Sequence, residues 1–148
     1  MVDHIGPTID VDQVINLLEG QADLYRDLKL NFVYLAGSLV RGEHAWWSDI
    51  DVFVSSSDYI QMDANSKWEF LKRINGEILR RTEIDTIEIR IIEDLPLPVQ
   101  FSIISEGYIV YMGDKEYYID FKATCINRYL DHMIWIDQYY KYQEEMAL

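Results

Sequence analysis

Apolar residues recur at spacings of three and four from the start of the chain, at Val11, Ile15, Leu18, Ala22 and Tyr25, the period of a helix with one buried face. Asp10, followed three residues on by Gln13, resembles a capping box, so a helix is predicted over residues 11–28, with Gly20 as its weak point. The pattern then changes. "NFVYLA", Asn31 to Ala36, is a short continuous apolar run that reads as a buried strand leading straight into Gly37-Ser38, and "DIDVFV", Asp49 to Val54, reads as a second strand. Ser66 is a candidate cap for a helix to about Arg80, carrying Trp68, Phe70, Leu71, Ile74 and Leu79. "EIDTIEIRII", Glu83 to Ile92, alternates as a third strand. Pro96 and Pro98 mark a turn, "VQFSIISEG" fits helix and strand equally, and "YIVYM" reads as a further strand. From about Asp114, Tyr118, Phe121, Cys125, Tyr129, Met133, Ile136 and Tyr140 follow helical spacing. They predict a last helix of roughly 28 residues, about 40 Å long, which overhangs a small domain.

Length and composition narrow what these elements can build. The chain has 148 residues, 49% hydrophobic and 26% charged, which predicts one domain over residues 1–148 with one core. No apolar run approaches the roughly 18 residues of a membrane span, and "MVDHIGPTID" lacks the basic and apolar regions of a secretory leader, so a soluble, cytoplasmic protein is expected. A lone cysteine, Cys125, excludes an internal disulfide, and with His4, His44 and His132 it forms no zinc spacing. Twenty-six acidic against thirteen basic side chains give a formal charge of −13, which disfavours direct nucleic-acid binding and suits a basic protein partner or divalent cations.

The candidate chemistry lies between the first two strands. Residues two apart in a strand share a face about 6.5 Å apart, so Asp49 and Asp51 project together while Ile50, Val52 and Val54 point into the core. Two adjacent carboxylates repel each other unless they share a divalent cation. A metal pair about 3.5 to 4 Å apart is the usual clamp for displacement at phosphorus. Parity selects a third acid: Ile87, Ile89 and Ile91 fill one face of the third strand, so Glu88 and Arg90 take the other and Asp85 falls with the isoleucines. Gly37 and Ser38 offer free N–H groups and a hydroxyl suited to triphosphate oxygens where a short helix could begin. Arg41 adds a nearby cation.

Gly37-Ser38, ten intervening residues, then Asp49-x-Asp51 resembles the signature of the DNA polymerase β-like nucleotidyltransferases. "GSLVRGEHAWWSDIDVFV" is similar in detail to the minimal nucleotidyltransferase (MNT) family, with Val40 for the usual alanine and Glu88 where that family more often has aspartate. The resemblance implies an α+β fold, a small mixed sheet flanked by helices with a long C-terminal helix, and this agrees with the elements above. It also implies transfer of AMP from ATP with release of pyrophosphate. Asp49, Asp51 and Glu88 would be the catalytic residues and the ligands of two Mg2+ ions, and Gly37, Ser38 and Arg41 would bind the nucleotide phosphates. Small stand-alone members pair with a HEPN-family ribonuclease toxin, which they silence by adenylylating a tyrosine or by binding alone, so a hetero-oligomer with such a toxin is implied. A small aminoglycoside or lincosamide nucleotidyltransferase is the alternative enzyme.

Several features keep a plainer reading beside the functional one. Arg41 suits a phosphate ligand and a structural ion pair equally. Trp46-Trp47 would pack the loop more readily than wall a nucleobase, and His44 and His132 read as surface residues. The row Ile126, Leu130, Ile134 and Trp135 offers a second apolar face on the last helix for docking, and the tyrosine-rich end covers a hydrophobic surface.

Overall fold

The computed structural model describes residues 10–43 and 49–147; the expectations for His4, His44 and Trp46-Trp47 lie outside them. Helix α1 (Val11–Glu19) starts at Asp10, whose carboxylate accepts the N–H of Asp12. The helix predicted over residues 11–28 is divided, with α2 (Ala22–Asp27) following a break at Gly20-Gln21. Glycine inside a helix costs about 1 kcal/mol, and tertiary contacts favour the break, because the Leu18 carbonyl accepts from the Gln21 N–H and from the buried Tyr25 hydroxyl at 2.8 Å.

Four strands form one sheet: β1 (Phe32–Ala36), β2 (Ile50–Ser55), β3 (Ile87–Ile91) and β4 (Tyr108–Met112). Their order is β3-β2-β1-β4, with β1 antiparallel to β2 and β4 and with β2 parallel to β3. The parallel pair needs a crossover, supplied by the short α3 (Ser57–Ile60) and the long α4 (Ala64–Thr82). Asp63 caps α4 by accepting the Ser66 N–H at 2.7 Å, so Ser66 lies inside the helix that it was expected to start. Glu83 ends α4 in the left-handed conformation, and the chain turns through Asp85-Thr86. β3 therefore begins at Ile87, four residues later than the alternation of "EIDTIEIRII" indicates.

The ambiguous "VQFSIISEG" is helical, as part of α5 (Leu97–Glu106). Its prolines do not oppose this: Pro96 precedes the helix, and Pro98 sits in the first turn, where backbone N–H groups have no helical partner. Alternation along the strands divides the core between two faces. Val33, Leu35, Val52, Val54, Ile89 and Ile91 pack with residues of α1, α2 and α4 on one side. Phe32, Tyr34, Ala36 and Phe53 pack under α5 and the last helix, α6 (Lys115–Ala147), on the other.

α6 has 33 residues, about 50 Å at 1.5 Å per residue. Tyr118, Phe121 and Cys125 pack on the sheet, and Tyr129 stacks on Phe101 of α5 with ring centroids 3.9 Å apart. Cys125 is a buried core residue. Beyond Tyr129 the helix leaves the sheet: Met133 and Tyr140, which the periodicity continues along the core row, are 46% and 63% exposed. Strands of five or six residues extend roughly 20 Å and cannot cover a helix of this length. No described helix is long and apolar enough to cross a membrane.

Candidate active site

Asp51 occupies the middle of the sheet, with Ala36 of β1 on one side and Glu88 of β3 on the other. Two residues on, Phe53 packs in the core under α5 and α6, so alternation puts Asp51 on that same face, at the end where β1 runs out into Gly37. Glu88 and Arg90 follow the same parity on β3, opposite Asp51 and Phe53. Asp49 immediately precedes β2 and is exposed. Asp85 lies in the turn before β3, outside the ladder.

Gly37 makes room for a neighbouring carboxylate. Its φ of 86° lies in the left-handed region that glycine tolerates best, and a Cβ there would overlap Oδ2 of Asp51. The absent side chain is therefore the space in which the Asp51 carboxylate sits. Gly37→Ala is expected to cost about 1–2 kcal/mol for the backbone alone and to displace Asp51 as well. A lower urea midpoint together with loss of nucleotide-dependent stabilisation would show both effects; an unchanged midpoint would sink this account.

From Gly37 to Glu43, where the sequence allowed a short helix to begin, the chain makes successive turns. Arg41 N–H donates to the Gly37 carbonyl at 3.2 Å, and Glu43 N–H donates to that of Ser38 at 2.9 Å. Buried Leu39 anchors the segment, leaving Ser38 half-exposed at the mouth of the site. Arg41 pairs with Glu43 at 3.2 Å, the plainer of its two readings, yet both side chains are largely exposed and the pair is cheap to break. Arg41 also lines a cleft of about 130 Å³ with Gly37, Phe53, Ser102 and Glu106. Sequence alone does not bring Ser102 and Glu106 to this cleft, because their segment fits helix and strand equally and only the helix α5 turns both toward Arg41. A larger cavity of about 360 Å³, lined by Glu93, Gln100, Tyr117 and Arg128, shares no residue with the acidic pair.

Glu88 does not stand free. Its Oε1 accepts both Nε of Arg90 at 3.0 Å and Nη2 at 2.8 Å. The strand parity that selected Glu88 also placed Arg90 beside it, but left their pairing unstated. Among the described residues, no three His, Cys, Asp or Glu side chains are grouped closely enough to hold a metal ion. The donor chemistry nevertheless suits Mg2+, since all three groups are hard carboxylate oxygens. Asp49 and Asp51 are the pair that would hold it.

Burial raises the Asp51 pKa above its ordinary 3.8; Arg90 opposes this, Glu88 and Asp49 reinforce it, and Arg41 opposes it again. A carboxyl that binds its proton more tightly folded than unfolded contributes stability below 3.8 that is lost as pH rises through the raised value. Without divalent ions, Asp51→Asn should therefore melt above the native protein at pH 7, and that advantage should vanish below about pH 3.8. Equal melting temperatures at pH 7 would exclude charge burial at this position.

A model of the "Polymerase beta, Nucleotidyltransferase" family matches residues 13–116, well over half of the sequence and every element from α1 to the start of α6. The chain belongs to this nucleotidyltransferase family. Its fold is that of a toxin–antitoxin complex component solved with AMP-PNP, at a TM-score of 0.57 and 19% identity, over 85% of this chain and 91% of that one. It is equally similar to a chain of the Shewanella oneidensis complex of tri-AMPylated HEPN toxin with MNT antitoxin, at 0.56 and 20%, over 81% and 90%. A toxin–antitoxin MntA-HepT structure matches at 0.56 and 20%, over 80% and 90%. No curated protein sequence matches significantly. For the nucleotidyltransferase, the family match and the sheet agree on an α+β architecture with a mixed four-stranded sheet and a long C-terminal helix.

Proposed function

We propose that this nucleotidyltransferase is an antitoxin that transfers AMP from ATP, with Mg2+, to a tyrosine of a HEPN-family toxin in the cytoplasm. The observation that carries the reading is that Gly37, in the turn after β1, abuts the Asp51 carboxylate of β2, which in turn pairs with Glu88 of β3. The acceptor is supported by likeness: proteins of this fold were solved with AMP-PNP and with an AMPylated HEPN toxin. In the reaction the tyrosine oxygen attacks the α-phosphorus, the bond to the β-phosphate oxygen breaks, and pyrophosphate leaves. Glu88 accepts the hydroxyl proton. Ser38, the backbone at Gly37 and Arg41 grip the β and γ phosphates, and Mg2+ held by Asp49 and Asp51 would supply charge neutralisation there.

The free part of α6 gives such a partner a surface. Leu130, Ile134 and Trp135 are 50%, 58% and 60% exposed, and Trp135 stacks on Tyr139 at 5.6 Å between centroids. Apolar side chains left bare on a helix end are a usual docking feature, and a chain of charge −13 suits a basic partner. Co-expression with a HEPN-family toxin, followed by mass spectrometry, should find AMP on a toxin tyrosine. An unmodified toxin that is still neutralised would replace this reading with silencing by binding alone, which the engagement of Glu88 by Arg90 favours.

A further inference from the structure

Among the described residues Arg90 is the one side chain bound to the third carboxylate, and both of its contacts go to the same oxygen. Oε2 of Glu88 has no hydrogen-bond partner among the described residues. Asp49 and Asp51 also act on Arg90, which is held charged first by Glu88 and then by these two. A guanidinium thus serves the acidic face as a fixed counter-charge where three carboxylates would otherwise repel one another. The ion pair joins residues two apart on an edge strand, with Glu88 41% and Arg90 51% exposed, so little burial opposes its separation. The length of the glutamate also matters: its carboxylate reaches along the strand to Arg90, which a side chain one methylene shorter would reach less readily.

We propose that Arg90 is a positioning residue that competes with a divalent cation for Glu88, holding Glu88 out of the Asp49–Asp51 pair until a cation displaces the guanidinium. This rests on the reading of Asp49 and Asp51 as the cation-binding pair. It accounts for Asp51 and Glu88 lying side by side while no three acids among the described residues converge on a site. Arg90 then sets how much cation the protein needs before its third carboxylate is available, and the released guanidinium faces the same side of the sheet as the incoming triphosphate.

Mn2+ binding, followed by electron paramagnetic resonance without nucleotide, tests this in the native protein, Arg90→Gln, Glu88→Gln, the Arg90→Gln/Glu88→Gln double variant and Asp49→Asn/Asp51→Asn. Arg90→Gln should bind Mn2+ about fivefold more tightly, the scale set by an exposed ion pair. Most of that gain should disappear in the double variant when compared with Glu88→Gln. Unchanged or weaker binding by Arg90→Gln overturns the competition and makes Arg90 a support for the ligand. A gain that survives intact without Glu88 also overturns it, leaving only a general charge effect. If Mn2+ binding persists undiminished in Asp49→Asn/Asp51→Asn, or is absent from every protein including the native one, the cation-pair reading itself fails and this inference falls with it. Melting temperatures of the half-exposed Arg90 and Glu88 variants should stay near native and verify that each is folded.

Discussion

Replacing Asp49 and Asp51 together by asparagine is expected to abolish the stabilisation that Mg2+ and ATP confer and to lower AMP transfer at least a thousandfold. At a ligand concentration a hundred times its Kd, binding to the native state adds about 2.7 kcal/mol. For a chain of this length that is a rise in Tm of about 5–10 °C. The asparagine variant keeps the shape of both side chains and loses the negative oxygens, so this rise should vanish while the metal-free protein remains folded. Under the proposed mechanism the loss in rate is that of a charge clamp worth several kcal/mol at the transition state, at tenfold per 1.36 kcal/mol. Asp85→Asn is the matched control: Asp85 is an exposed turn residue outside the ladder, so transfer should be native. A persistent Mg2+–ATP shift in the Asp49/Asp51 variant would remove these residues from the site. Loss of transfer in Asp85→Asn with retention in Glu88→Gln would contradict the register of β3.

The second large effect belongs to the other end of the molecule. Leu130→Asp combined with Ile134→Asp should weaken toxin binding a hundredfold or more, because central apolar side chains at an interface contribute about 2 kcal/mol or more each and every 1.4 kcal/mol is tenfold in affinity. Both side chains are at least half exposed in the free protein. The folded chain should tolerate the changes within about 0.5 kcal/mol each, and Mg2+–ATP should still raise the melting temperature. Surface plasmon resonance against the toxin and a thermal melt separate the outcomes. A collapse of the melting temperature would mean that these residues are core in solution, and undiminished binding would move the docking surface elsewhere.

These expectations draw unequally on the sequence and the fold. The spacing from Gly37-Ser38 to Asp49-x-Asp51 was legible because a strand has a strict period of two and because a glycine-serine turn between apolar strands admits few conformations. The same parity put Glu88 on the polar face of its strand without any knowledge of the sheet order, and only the observed register sets it beside Asp51. Elements were less legible where local preference was weak: α5 depends on prolines that a helix start tolerates, and the break between α1 and α2 depends on a tyrosine hydroxyl seven residues from the carbonyl it binds.

By itself the sequence determined the strand and helix periods, the acids that share a face and the family that such a pattern resembles, since each depends on residues near one another along the chain. Only the tertiary structure decided that the Asp51 carboxylate fills the space left by the missing Gly37 side chain, and that Glu88 is engaged by Arg90. It also decided where α6 stops being core, because apolar periodicity continues to Tyr140 while the sheet that could bury it does not. These outcomes depend on distances between segments far apart in the chain and on how much surface the sheet offers. A one-dimensional pattern carries neither quantity.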